Sequence, residues 1–287
     1  MPDRIFSEAN EDQRKFWSDG PGLTWVALRD ELDTLHSRVA DVMLAAAAPR
    51  AGQTIIDIGC GSGATTLWLA KAARPGGAVT GLDVSDSLLA SARQRAEALG
   101  ADAPKFVLAD AQVWTPDEPV DLCTSRMGVM FFADPAAAFA NILTMLRPGG
   151  RLVFICWRAQ GENPWFDLPM RAAVARLGAA EPGDPDGPGP MSLRDPARIR
   201  DLLERAGFSE INVTATDTSL WVPGGCASAA KLATRIGPAM RHMRDKQATE
   251  ADASAIRSAL EAGLRQFDTP TGAVIPARMN LVKARRP

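Results

Sequence analysis

One stretch limits what this chain can fold into: Thr54-Ile55-Ile56-Asp57-Ile58-Gly59-Cys60-Gly61-Ser62-Gly63. A β-branched run carries an acid, and three glycines follow at alternate positions. A helical run, Ala64 to Ala73, comes next. The pattern predicts a strand, a tight turn and the start of a helix. Glycines in such a turn let the backbone reverse sharply and let a ligand lie against the main chain. The helix start offers unpaired N–H groups and the positive end of a dipole, so a carboxylate or phosphate fits there. An ordinary strand-to-helix turn needs fewer glycines and no strand-end acid.

The alternation continues downstream. Pro75-Gly76-Gly77 turns the chain into a second strand, Ala78–Asp83. Ser85 or Asp86 caps a helix that runs to Leu99, where Gly100 stops it. Lys105–Leu108, Val120–Ser125 and Arg151–Trp157 read as strands three to five. Between the last two, Asp134-Pro135 opens a helix and Arg147-Pro148-Gly149-Gly150 closes it. Such alternation builds an α/β fold, a parallel sheet with helices on both faces, whose ligands bind beyond the carboxyl ends of the strands. The glycine loop, Asp83, Asp110 and Ser125-Arg126 all fall at those ends.

The flanks of this core, residues 50–157, have another texture. Residues 1–20 are polar, and 24–48 space Trp25, Leu28, Leu32, Leu35, Val39, Val42 and Met43 at helical intervals, so 1–49 reads as a helical cap segment. Residues 158–194 are rich in proline and glycine, above all over 181–190, and read as a mobile connector or lid. Residues 195–287 carry a helix from Asp195-Pro196 to Ala206 and a strand, Ile211–Val222. A helical insertion at 227–267 and a last strand at 273–283 follow, the two strands pairing around the insertion.

Charge argues against one class of partner. Lys plus Arg is 32 against 34 Asp plus Glu, without the basic patch that grips nucleic acid. The basic cluster Lys283-Ala284-Arg285-Arg286 reads as a solvated tail. No apolar stretch is long enough to span a bilayer, and Met1-Pro2-Asp3-Arg4 lacks a leader pattern. Cys60, Cys123, Cys156 and Cys226 show no paired spacing of a metal-binding kind; they read as reduced core thiols of a cytoplasmic protein.

Three acids give the glycine loop its meaning. Asp83 ends the second strand, where a carboxylate accepts from both hydroxyls of a ribose. Asp110 follows the third strand, placed to accept from an exocyclic adenine amine while Ala111 offers its backbone N–H. Asp57, just before the loop, either holds the loop's amides or receives a ligand ammonium through water. A dinucleotide site competes, because Gly59-x-Gly61-x-x-Ala64 meets the loose form of that fingerprint. Against it, Asp57 would repel a pyrophosphate and Asp110 has no part in the nicotinamide pattern.

Asp57-Ile58-Gly59-Cys60-Gly61-Ser62-Gly63 resembles the first motif of the class I S-adenosylmethionine-dependent methyltransferases. Asp83, Asp110-Ala111 and Leu146-Arg147-Pro148-Gly149-Gly150 match that family's later motifs in order. The resemblance implies a Rossmann-like, doubly wound, seven-stranded sheet, mostly parallel with an antiparallel last strand. It also implies S-adenosylmethionine as cofactor, S-adenosylhomocysteine as product, and no metal. By position, the glycine loop (Asp57, Gly59, Cys60, Gly61, Gly63) would hold the methionine moiety, Asp83 with Val84 the ribose, and Asp110 with Ala111 the adenine. Ser125 and Arg126 complete the cofactor set. The stretch Ser125 to Asp134 resembles the small-molecule branch that includes quinone C-methyltransferases, and lacks the acidic-or-Asn, Pro-Pro, aromatic signature of enzymes acting on nucleobase or amide nitrogens.

Methyl transfer from a sulfonium draws its rate from positioning and exclusion of water; a general base is needed only if the acceptor must lose a proton. Tyrosine is absent, so the candidate bases are His36 and His242, each with an ordinary surface or capping role as the competing reading. Arg126 is either a guanidinium near the acceptor or cofactor carboxylate or a salt-bridge partner of a nearby helix. Trp17, Trp25, Trp157, Trp165 and Trp221 lie in segments that flank or cover the acceptor side; the first four are the candidates to line an apolar pocket, and plain packing is the alternative. The leading expectation is methyl transfer to a small, fairly apolar molecule. A nicotinamide-dependent oxidoreductase and a non-catalytic S-adenosylmethionine-binding module stand behind it.

Overall fold

Strands buried on both faces read as continuous aliphatic runs, and the centre of this sheet is made of them. The computed structural model describes residues 5–287; Met1–Arg4, where no leader pattern is expected, lie outside the described residues. Four helices come first: α1 (Glu11–Ser18), α2 (Gly20–Ala27), α3 (Arg29–Leu35) and α4 (Ser37–Ala47). The core follows as β1 (Thr54–Ile58), α5 (Ala64–Ala72), β2 (Ala78–Asp83), α6 (Asp86–Ala96), β3 (Lys105–Leu108), β4 (Val120–Arg126), α7 (Pro135–Met145) and β5 (Leu146–Trp157). Then come α8 (Pro164–Leu177), α9 (Pro196–Ala206), β6 (Ser209–Val222), α10 (Gly225–Ala233), α11 (Gly237–Asp245), α12 (Glu250–Leu264), the two-residue β7 (Asp268–Thr269) and β8 (Gly272–Arg285).

The strands lie in the order β3-β2-β1-β4-β5-β8-β6, with β7 on β8. The first five run parallel, and β8 is antiparallel to both β5 and β6. The order reverses between β1 and β4, the switch point at which such sheets open a crevice. The expected mostly parallel sheet with an antiparallel last strand is therefore present, and β6 and β8 pair around the helical insertion. Local signals act as anticipated: Ser85, Asp134 and Asp195 accept N-cap hydrogen bonds from Leu88, Ala137 and Ala197.

Three expectations are corrected. The periodicity over 24–48 is not one helix. Leu28 and His36 leave helical geometry, at ψ 14° and 9°, so the segment breaks into α2 and α3 over the carboxyl edge of the sheet and α4 packed against β4, β5 and β6. The connector over 158–194 holds the 14-residue α8, which buries Trp165 and Phe166. Only its proline-rich part is irregular, and that part is tied down where the Gly189 N–H donates to the Met130 carbonyl at 3.0 Å. The basic cluster at 283–286 is no tail. Lys283 and Arg285 are the exposed residues of β8 and Val282 and Ala284 the buried ones, so strand alternation carries the charges to solvent.

Candidate active site

Beyond the carboxyl ends of β1, β2 and β4 lies a cavity of about 590 Å³, roofed by α1–α3, α8 and α11. The glycine loop forms its floor. Gly59, Gly61 and Gly63 all have positive φ, 64°, 54° and 82°. A side chain at Gly59 would strike Gly128, its Cβ 2.7 Å from the Gly128 Cα, so only glycine lets the β1 and β4 loops pass. A Cβ at Gly61 would meet nothing within 4 Å; that face is open to a ligand.

Asp57 differs from its expected role. It does not line the cavity and does not hold the loop's amides. Its carboxylate accepts from the hydroxyls of Thr65 (2.6 Å), Thr66 (2.7 Å) and Thr124 (3.1 Å), which pins α5 to β1 and β4. Burial pushes its acidity down, against those three bonds. Asp83 holds the loop instead: Oδ2 accepts from the Gly61 N–H at 2.8 Å and Oδ1 from the Ser85 N–H at 2.9 Å. Each oxygen keeps a lone pair, and the residue lines the cavity beside Val84, so both hydroxyls of a ribose can still be met. Burial raises the Asp83 pKa to about 6.

Asp110 and Ala111 also reach the cavity. The Asp110 carboxylate, however, receives four protein donors: the Ser7 N–H, Asn10 Nδ2, the Gln112 N–H and Gln112 Nε2, at 2.9–3.2 Å. Its own N–H donates to the Ile5 carbonyl at 2.8 Å. An adenine amine must therefore replace one of these donors, and the N-terminal strap supplies two of them. Cys60 lines the floor, its thiol held protonated by burial and by Asp83 and Asp57. Gly63 and Ser125 sit behind the cavity wall. Ser125 Oγ donates to the Ile58 carbonyl (2.8 Å) and accepts from the Gly128 and Val129 N–H groups (3.1 and 3.2 Å), so it shapes the loop after β4.

A family model described as a methyltransferase domain matches residues 56–154. Trans-aconitate 2-methyltransferase of Methylobacterium radiotolerans is 34% identical over 191 residues, 66% of this chain and 70% of that one. The chain belongs to the S-adenosylmethionine-dependent methyltransferases. The ubiquinone/menaquinone biosynthesis C-methyltransferase of Roseobacter denitrificans is 34% identical over 158 residues, 53% of this chain and 62% of that one. Phosphoethanolamine N-methyltransferase 2 of Haemonchus contortus, solved with S-adenosyl-L-methionine, shares the fold: TM-score 0.58 at 16% identity, over 98% of this chain and 60% of that one. Family membership sets the nicotinamide reading aside. The open face of Gly61, the spare lone pairs of Asp83 and the Ala111 N–H at the wall fit S-adenosylmethionine.

The rest of the methyltransferase's cavity is aromatic. Trp17, Trp25, Trp157 and Trp165 all line it, joined by Phe131 and Phe166. Trp17 meets Trp25 and Phe131 edge-on at 5.4 and 4.9 Å, and Trp157 meets Phe166 edge-on at 4.9 Å. His36 lies among them, stacked on Trp25 at 6.3 Å and edge-on to Trp157 at 6.5 Å. Its Nδ1 lies 2.9 Å from the Leu32 carbonyl. A carbonyl only accepts, so Nδ1 carries the proton and Nε2 keeps a lone pair. Burial, then the charge of Arg126, lowers the His36 pKa to about 3. His242 reaches the wall too, but its Nε2 donates to the Gly178 carbonyl at 3.0 Å.

Arg126 closes β4 and lines the cavity, with a buried Nε that has no hydrogen-bond partner among the described residues. Sequence reasoning missed the groups that hold the acids: Thr65, Thr66 and Thr124 on Asp57, and Asn10 and Gln112 on Asp110. The Thr65-Thr66 pair next to the loop was a readable signal. Asn10, 100 residues from its partner, was not.

Proposed function

We propose that this methyltransferase acts on a small, largely apolar acceptor with an acidic O–H, a phenol or an enol, and that His36 takes the proton. The observation that carries the reading is His36 itself, an imidazole with a fixed tautomer and a free Nε2 lone pair inside an aromatic cavity. When bound, S-adenosylmethionine supplies a methyl group on a sulfonium; the sulfur keeps the electron pair of the broken bond as the acceptor's pair forms the new one. The indole and phenyl walls orient a flat acceptor and keep water out. His36 is neutral at any working pH, and so is always able to accept. Its weak basicity suffices, because an O–H becomes strongly acidic once the acceptor is methylated. The relatives' names support methylation of a small molecule: a nocamycin O-methyltransferase and a ubiquinone/menaquinone biosynthesis C-methyltransferase accord with an O–H acceptor, while trans-aconitate 2-methyltransferase is named for a carboxylate acceptor. Carbon or oxygen methylation of an enol or phenol both end with loss of the same proton. A cytoplasmic location belongs to the proposal, supported by four free, buried cysteines.

The test is release of S-adenosylhomocysteine from a panel of phenols and enols and their methyl ethers. Turnover is expected with the free O–H compounds. His36→Asn should lower kcat about 10²-fold with cofactor affinity within about twofold. Unchanged kcat in that variant, or turnover confined to amines, defeats the reading.

A further inference from the structure

Arg126 lines the cavity, is left unused by the reaction above, and carries a buried Nε with no hydrogen-bond partner among the described residues. Two carboxylates lie in its field, and neither is available. Asp33 is paired with Arg95 at 2.7 Å, and Asp57 is occupied by three hydroxyls. A cation without a partner in such a place favours an incoming anion.

The position says which anion. The adenine end of the site lies at β3 (Asp110) and the ribose end at β2 (Asp83). The β1 and β4 ends come next: Asp57 is in register with Thr124, and the loops beyond them touch at Gly59 and Gly128. Arg126 therefore stands beside the floor on which the methionyl chain of the cofactor rests. Part of that floor's amide capacity is already used within the chain, while the Ser62 and Ala64 N–H groups at the start of α5 have no protein partner among the described residues. The Gly59 and Cys60 N–H groups both donate to the Leu82 carbonyl (2.8 and 3.1 Å), Gly61 to Asp83 (2.8 Å), and Gly63 to the Cys60 carbonyl (3.0 Å).

We infer that Arg126 binds the methionyl carboxylate of the cofactor, and so selects S-adenosylmethionine over adenosyl thioethers that lack the amino acid end. A planar guanidinium suits a carboxylate, and the neighbouring glycines leave room for it.

The inference rests on the cavity being the cofactor site, and calorimetry separates the two. S-adenosylhomocysteine and 5′-methylthioadenosine, which lacks the carboxylate and amine, are titrated into the unchanged protein and into Arg126→Met. The unchanged protein is expected to prefer S-adenosylhomocysteine. Arg126→Met should weaken that ligand by about ten- to a hundredfold and leave 5′-methylthioadenosine within about twofold. Arg126→Lys, which keeps the charge, should recover part of the loss. Equal loss for both ligands, or no loss for either, overturns the inference. Failure of both ligands to bind the unchanged protein overturns the cavity assignment instead. If Arg126→Met does not fold, the decarboxylated analogue of S-adenosylhomocysteine, which keeps its amine, is titrated into the unchanged protein. It should bind about ten- to a hundredfold more weakly than its parent, and equal binding overturns the inference.

Discussion

The two halves of the cavity are built on opposite plans. On the side of β1, β2 and β3, the acids are held by the chain itself: Asp57 by three threonines, Asp83 by the Gly61 and Ser85 amides, Asp110 by Ser7, Asn10 and Gln112. On the side of β4, β5 and the roof, rings dominate; His36 and Arg126 line the cavity, and neither His36 Nε2 nor the buried Arg126 Nε has a partner among the described residues. The first half is rigid before any ligand arrives, which suits one unchanging cofactor. The second half leaves its hydrogen-bonding capacity free, which suits a site whose specificity lies in the acceptor.

Breaking the first half should have the largest effect. Asp83→Ala removes the proposed ribose acceptor and frees the Gly61 amide, so S-adenosylhomocysteine affinity measured by calorimetry should fall about 100-fold. Gly59→Ala forces a Cβ to within 2.7 Å of Gly128 at a φ of 64°. It should cost about 2 kcal/mol of folding stability in thermal melts. Asn10→Ala removes one donor from Asp110 and should change stability by only about 1 kcal/mol. If that variant binds the cofactor more tightly, the Asn10 contact competes with the adenine amine rather than presetting its acceptor.

The pKa of Asp83 sharpens the same contrast, through two opposite pH trends. Its folded value of about 6 lies above its ordinary 3.8, so the folded chain holds this proton more tightly than the unfolded one. Its contribution to folding stability is thus fully present below 3.8 and is lost as pH rises through about 6. Ribose hydroxyls, in contrast, need the ionised carboxylate. Affinity for S-adenosylhomocysteine should fall as pH drops below about 6, while the ligand-free melting temperature gains from the same proton. Parallel trends in the two measurements would remove Asp83 from the cofactor site.

The halves also differ in how far they could be read from the chain. Strand limits, caps and strand order around Thr54–Asp110 follow from local signals: β-branched runs, glycines that need positive φ, and acids at strand ends. The roles of the acids were less legible, because hydrogen-bond partners are a tertiary property. Asp57 was expected either to hold the loop's amides or to receive a ligand ammonium through water; it holds three threonine hydroxyls, and Asp83 holds the loop. The bends at Leu28 and His36 were invisible, since the apolar spacing runs straight through them. Composition misjudged 158–194, where ten residues of proline-rich chain masked a buried helix beside them. Of the five tryptophans assigned to the acceptor side by their segments, Trp17, Trp25, Trp157 and Trp165 reach the cavity, and Trp221 on β6 does not, its Nε1 donating to the Thr271 carbonyl.

That placement makes the protein its own optical gauge. The chain has seven tryptophans and no tyrosine. Ultraviolet emission therefore comes from indoles alone, and Trp17, Trp25, Trp157 and Trp165 stand at the walls that a ligand would touch. Arrival of a ligand at those rings can be followed as light without adding a dye.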